Sequence, residues 1–136
     1  MGVQSFVEAE CRAVGRPQRT ADVHRALDVI RTAGPRVLNV DLMYGLPGQT
    51  AESWRMSLDA ALAYRPEELY LYPTYARPLT PLGKRSGVDR DPRPALYAQG
   101  RDHLHAAGYA SHSRACRPEP KRIPHRASWA CRHAEG

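Results

Sequence analysis

A chain of 136 residues, 42% of them apolar, is long enough for one domain with a real core and too short for two. No run approaches the roughly 18 apolar residues that span a bilayer. The start, Met1-Gly-Val-Gln-Ser-Phe6, has neither the basic opening nor the apolar stretch of a secretory signal, so a cytoplasmic protein is expected.

Along the chain, Gly2 to Phe6 reads as the end of a strand. A helix follows from Thr20 to Ala33: Thr20 is placed to cap it, Val23, Ala26, Leu27 and Ile30 recur at helical spacing, and Gly34 supplies a left-handed stop. Val37 to Tyr44, rich in β-formers and bounded by Pro35 and Gly45, predicts a strand buried on both faces. Gly45-Leu-Pro-Gly-Gln-Thr50 then hands over to a second helix, with Thr50 as cap and Trp54, Leu58, Ala61 and Leu62 as its apolar stripe. Pro66 closes that element. Leu69-Tyr-Leu-Tyr72 alternates as a third strand stopped by Pro73, residues 76–94 form a loop rich in Pro, Gly and charge, and 95–107 form a last helix through Leu96, Gly100 and Leu104.

Strands recurring every 30 to 35 residues with helices between them define β–α–β units and a parallel sheet. Three such strands need cover on both faces and neighbours at both edges, which three helices do not supply. The body, residues 1–110, therefore reads as an α/β piece of a larger layer or barrel, marginal when alone. Residues 111–136 differ in kind. They carry six Lys and Arg against two acids, whereas residues 1–110 carry fourteen against twelve. Rich in Arg and Pro and without apolar period, this tail predicts disorder; its abrupt change of composition is also what a reading-frame shift produces.

The three cysteines, Cys11, Cys116 and Cys131, are too widely spaced for a disulfide framework or a compact metal pair. Free thiols are the plain reading. A zinc site from Cys116, Cys131, His112, His125 and His133 is the alternative, with spacing that matches no finger.

Several separated segments carry a family likeness. Met1-Gly-Val-Gln4-Ser-Phe6, Gly15-Arg16-Pro17, Asn39-Val-Asp41-Leu-Met-Tyr44-Gly45-Leu-Pro47-Gly48-Gln49-Thr50 and Glu68-Leu-Tyr-Leu-Tyr72-Pro73 follow one another in an order that resembles the second half of the catalytic barrel of radical S-adenosylmethionine (SAM) enzymes of the oxygen-independent coproporphyrinogen III oxidase type. The resemblance covers residues 1–110. It implies a partial (β/α) barrel in which the three strands are the fourth, fifth and sixth of six, with SAM and a [4Fe–4S] cluster as cofactors. By the same matching, Gln4, Arg16 and Asp41 correspond to positions that contact a second SAM, and Tyr75 stands where the backbone approaches the first. It also implies oxidative decarboxylation of porphyrinogen propionates, or a related reaction on another substrate.

Each position has a plainer reading. Asp41 interrupts an apolar strand, and a buried carboxylate needs a partner: a ribose hydroxyl or ammonium of a ligand, or an internal Arg or backbone N–H. Gln4 is either a ligand contact or a loop amide facing water. Arg16 can grip a carboxylate bidentately, or belong to an ordinary Gly-Arg-Pro turn. The glycines of Gly45 to Thr50 lack the Lys and spacing of a phosphate loop and mark a strand–turn–helix joint. Tyr70, Tyr72 and Tyr75 either stack on a flat substrate or pack under a helix, the latter being the expected arrangement.

The family's C-x-x-x-C-x-x-C run, each thiolate binding one iron, has no counterpart among Cys11, Cys116 and Cys131. No catalytic or metal-ligating residue is assigned within this chain, and an N-terminal half carrying the cluster is the implied partner. A chain inactive alone is the first reading. A non-catalytic α/β fragment whose basic tail binds anions or nucleic acid is the second, and an independent small α/β enzyme the third.

Overall fold

The computed structural model describes residues 1–75, 91–112 and 128–131. Its elements in chain order are β1 (Gly2–Gln4), α1 (Glu8–Ala13), α2 (Thr20–Ala33), β2 (Asn39–Tyr44), α3 (Ala51–Leu62), β3 (Glu68–Pro73), α4 (Arg93–Ala106), β4 (Ala110–His112) and β5 (Ser128–Cys131). The described strands form one sheet in the order β1-β2-β3-β5-β4, parallel at every pairing. The three strands read from sequence are its first three. Two short ones fall within or beside the stretch read as a tail; residues 76–90, 113–127 and 132–136 of the expected loop and tail, with Cys116, His125 and His133, lie outside the described residues.

Local signals explain the helices. α2 ends at Gly34 in the left-handed region (φ 68°), as its position after the apolar stripe predicts. Thr20 does not cap α2: Arg19 occupies the cap position, and the Thr20 hydroxyl donates instead to the Phe6 carbonyl at 2.9 Å. α3 opens with a capping box. Thr50 Oγ1 accepts from Ser53 N at 3.1 Å and Ser53 Oγ accepts from Thr50 N at 2.9 Å. Arg31 of α2 closes the far end of α3, donating to the carbonyls of Tyr64 and Arg65 and pairing with Glu67 at 3.2 Å. Burial would raise the Glu67 carboxyl, but the Leu38 N–H and the Arg31 guanidinium outweigh it and hold it below its ordinary range.

All of this cover sits on one face of the sheet. Val3, Val40, Leu42, Tyr44, Leu69 and Leu71 join Val23 and Leu27 of α2, Trp54, Leu58 and Ala61 of α3, and Leu96 and Leu104 of α4 in one core. Trp54 is fully buried, donates its indole N–H to the Leu96 carbonyl at 2.9 Å and packs so closely on Gly100 that a Cβ there would lie 3.0 Å from the ring. The expectation that β2 is buried on both faces is therefore corrected. Its burial alternates, with Asn39, Asp41 and Met43 only partly covered on the face away from the helices. Tyr70 and Tyr72 take that same face of β3, in register with Asp41 and Met43, while Leu69 and Leu71 go into the core. They lie on the face opposite the described helices.

Candidate functional site

Parallel strands bring their C-terminal ends to one rim, and in such sheets that rim collects ligands. Here it consists of Gln4 and Ser5 at the end of β1, Tyr44 and Gly45 at the end of β2, and Thr74 and Tyr75 after β3. Thr74 ties two exits together, donating from its N–H and hydroxyl to the Tyr44 carbonyl at 2.9 and 3.1 Å. Arg93 at the start of α4 leans over the same edge. Its Nη1 donates to the Thr74 carbonyl at 3.2 Å, its Nε pairs with Asp91 at 2.8 Å, and its methylenes lie against Gly45.

Gln4 and Asp41 are brought together. Asp41 is partnered in register by Gly2 on one side and Tyr70 on the other. Gly2 carries no side chain, and the space where its Cβ would stand has Gln4 Nε2 at 2.8 Å and Asp41 Oδ2 at 3.9 Å. Among the described residues neither the Gln4 amide nor the Asp41 carboxylate has a recorded hydrogen bond or ion pair. Gln4 is buried and Asp41 half-buried. Burial pushes the Asp41 carboxyl above its ordinary range, with the Met1 amino group pulling the other way. A carboxylate raised by desolvation beside an amide without a partner asks for hydrogen-bond donors or a cation from outside the sheet.

Arg16 and Tyr75 do not join this pair. Arg16 is exposed on the loop after α1, beyond Gly15 at φ 71°, and its side chain makes no hydrogen bond or ion pair among the described residues. Tyr75 is 53% exposed just past the end of β3, near Arg93. Both stand on segments that leave the same rim: the Arg16 loop returns to the β1 exit through Gln18, two residues on.

Residues that sequence reasoning passed over hold the rim in shape. Glu10 is 3% exposed and accepts from Ser5 Oγ at 2.6 Å, Ser53 Oγ at 2.5 Å and Gln49 Nε2 at 3.2 Å. Gln49 in turn accepts from Gly45 N at 2.7 Å and donates to the Met43 carbonyl at 3.2 Å, so the turn named as a joint is filled by its own side chain. Ser57 accepts from Phe6 N at 3.1 Å. Gln18 donates to the carbonyls of Val3 and Ser5. Within the sequence only the Gly-x-x-Gly-Gln-Thr joint signalled any of this.

On the face away from the described helices Tyr70 and Tyr72 stack, with centroids 6.1 Å apart and planes 12° from parallel. Against SAM, then, the residues present fit: an ionisable carboxylate and a free amide flank a glycine on a parallel sheet. Against an iron–sulfur cluster the described residues do not. Cys11 is fully buried, its thiol donating to the Ser5 carbonyl at 3.4 Å and raised by that burial, and among the described residues no three His, Cys, Asp or Glu side chains group around a metal position. No described helix is long and apolar enough to cross a membrane.

Comparison with known proteins gives these features a lineage. No family model matches the chain. It is 34% identical over 122 residues to the heme chaperone HemW of Escherichia coli, covering 88% of this chain and 32% of that protein. It is 30% identical over 115 residues to the oxygen-independent coproporphyrinogen III oxidase of Pseudomonas aeruginosa, covering 80% and 25% respectively. The structure of coproporphyrinogen III oxidase (HemN) from Escherichia coli, described as a radical SAM enzyme, superposes with a TM-score of 0.62 at 30% identity over 79% of this chain and 25% of that one. The chain thus spans between a quarter and a third of the length of these relatives.

Proposed function

The chain belongs to the radical SAM family of coproporphyrinogen III oxidase-like proteins, and from that premise we propose that it is a SAM-binding portion of the family's barrel, completed by a segment that carries the cluster. The observation that carries the reading is the pair Gln4 and Asp41, unpartnered among the described residues and converging beside Gly2. Asp41 accepts hydrogen bonds from ribose hydroxyls or faces an ammonium group; Gln4 adds a neutral donor and acceptor; Gly2 leaves the space. Arg16 and Tyr75, on the loops around that rim, close over the ligand. When bound together, SAM and the cluster supply one-electron chemistry that the side chains here do not. The described part of the chain holds the cofactor and shields it; it does not generate the reactive species.

The substrate belongs to the porphyrinogen class, decarboxylated at its propionates, and the stacked Tyr70 and Tyr72 beside Met43 give a flat aromatic floor on the face away from the described helices. Alone, the chain is inactive. The likeness to a heme chaperone over 88% of the chain favours a second reading, in which the same floor receives haem without turnover. The basic tail, with a surplus of four positive charges, offers a third, binding of anions or nucleic acid.

Calorimetric titration of the chain with SAM tests the first reading. Saturable binding, weakened about tenfold or more by Asp41→Ala, is expected from loss of a charge-assisted contact; no saturable binding up to millimolar SAM overturns it. Haem titration followed at the Soret band separates the second reading, and equal DNA affinity of the chain and a 1–110 truncation removes the third.

A further inference from the structure

Gln4 owes its direction to an unusual backbone. Its φ is 64°, a value that side chains rarely adopt, and the Ser5 N–H donates across it to the Val3 carbonyl at 2.8 Å. Together these describe the positive-φ form of the γ-turn, which is rare and strained. Such a conformation persists only where the surroundings over-determine it. One side chain straddles it: Gln18 Nε2 donates to the carbonyl of Val3, before Gln4, and to that of Ser5, after it, at 3.0 Å for the latter. The same nitrogen reaches Cys11 Sγ at 3.3 Å.

We propose that Gln18 is a positioning residue, holding the Gln4 backbone in its strained turn so that the Gln4 amide projects beside Gly2 and the Asp41 carboxylate. The proposal rests on the SAM-binding reading of that pair and deepens it. A tie that merely anchored the loop before α2 needed any one carbonyl of β1; Gln18 takes the two that flank the strained residue. Its amide is a donor at this point, so Gln18→Glu keeps the size and places an acceptor against two carbonyl oxygens, while Gln18→Ala removes both bonds.

The test uses the full chain, with amide hydrogen exchange read at Ser5 and at Leu69 and Leu71 of β3. Both Gln18 variants are expected to exchange Ser5 about tenfold or more faster with β3 protection unchanged. In a Gln4→Gly background, where positive φ carries no side-chain strain, the effect of Gln18→Ala shrinks to about twofold or less. SAM affinity is expected to fall as far in Gln18→Ala as in Gln4→Ala, and no further when both are changed. Unchanged Ser5 exchange overturns the proposal. So does loss of β3 protection in both variants, which marks a plain folding role, and so does unaltered SAM affinity with Ser5 released. If the unsubstituted chain binds no SAM while Ser5 responds as expected, the clamp stands and the cofactor reading falls.

Discussion

Gly45→Ala perturbs the rim at one atom, and its cost divides into two separable parts. The backbone there has φ 77°, which an alanine adopts at a penalty of about 1–2 kcal/mol. The added Cβ also falls 2.5 Å from Arg93 Cγ and 3.1 Å from Cδ, so the arginine must shift and release the Thr74 carbonyl that its Nη1 holds at 3.2 Å. That hydrogen bond is charge-assisted but partly exposed, worth about 0.5–1 kcal/mol after solvent screening. The expected total is about 1.5–3 kcal/mol, a fall in Tm of roughly 5–10 °C for a domain of this size. Urea unfolding of Gly45→Ala, Arg93→Ala and the double variant, read by far-ultraviolet circular dichroism, separates the parts. In the Arg93→Ala background only the backbone share, about 1–2 kcal/mol, should remain. Equal losses in both backgrounds refute the contact; a loss below about 0.5 kcal/mol in either refutes the conformational reasoning.

Asp41 gives a pH dependence with a definite sign. Its folded carboxyl is raised, so the folded chain binds the proton more tightly than the unfolded one; its stabilising contribution is present below the ordinary carboxylate range and is lost as pH rises through the raised value. The stability advantage of Asp41→Asn over the unsubstituted chain should therefore grow between about pH 3 and pH 7 in urea titrations, while SAM affinity rises over the same interval; a flat difference contradicts the burial of this group. Glu10→Ala strips the acceptor from Ser5, Ser53 and Gln49 and should cost about 2–4 kcal/mol, with Glu10→Gln costing less; a neutral Glu10→Ala would dismiss the buried network. With β1 lacking a neighbour on its outer side among the described strands and one sheet face without cover from the described helices, the isolated chain should self-associate with concentration in sedimentation equilibrium; a monomer at all concentrations contradicts this.

The sequence made α2, α3, β2 and β3 legible because their apolar residues recur at clean periods and end at Gly34, Gly45 or Pro73. It made the second face of β2 misleading. Val37-Leu-Asn-Val-Asp-Leu-Met-Tyr44 contains enough large apolar residues to look buried throughout, and only the one-sided placement of the helices shows that Asn39, Asp41 and Met43 form the open side. α1 has six residues, two of them acids in its first turn, too short for a period to emerge. β4 and β5, of three and four residues, give no alternation to count. Of the site, Asp41 was visible as a charge in an apolar run. Gln4 and Gln18 were not linked, since fourteen positions separate them and only the fold of the loop makes one the brace of the other.

Glu10 receives hydrogens from three segments at once: Ser5 where β1 leaves the sheet, Gln49 where β2 leaves it, and Ser53 in the first turn of α3. A push on one strand exit is therefore not absorbed where it lands. If a guest molecule displaces the Gly45–Gln49 turn, the buried carboxylate must follow, pulling the neighbouring exit and the helix start with it. Neighbouring loops here travel as one plate, so an event felt at the end of β2 is handed to the end of β1 through a single oxygen pair.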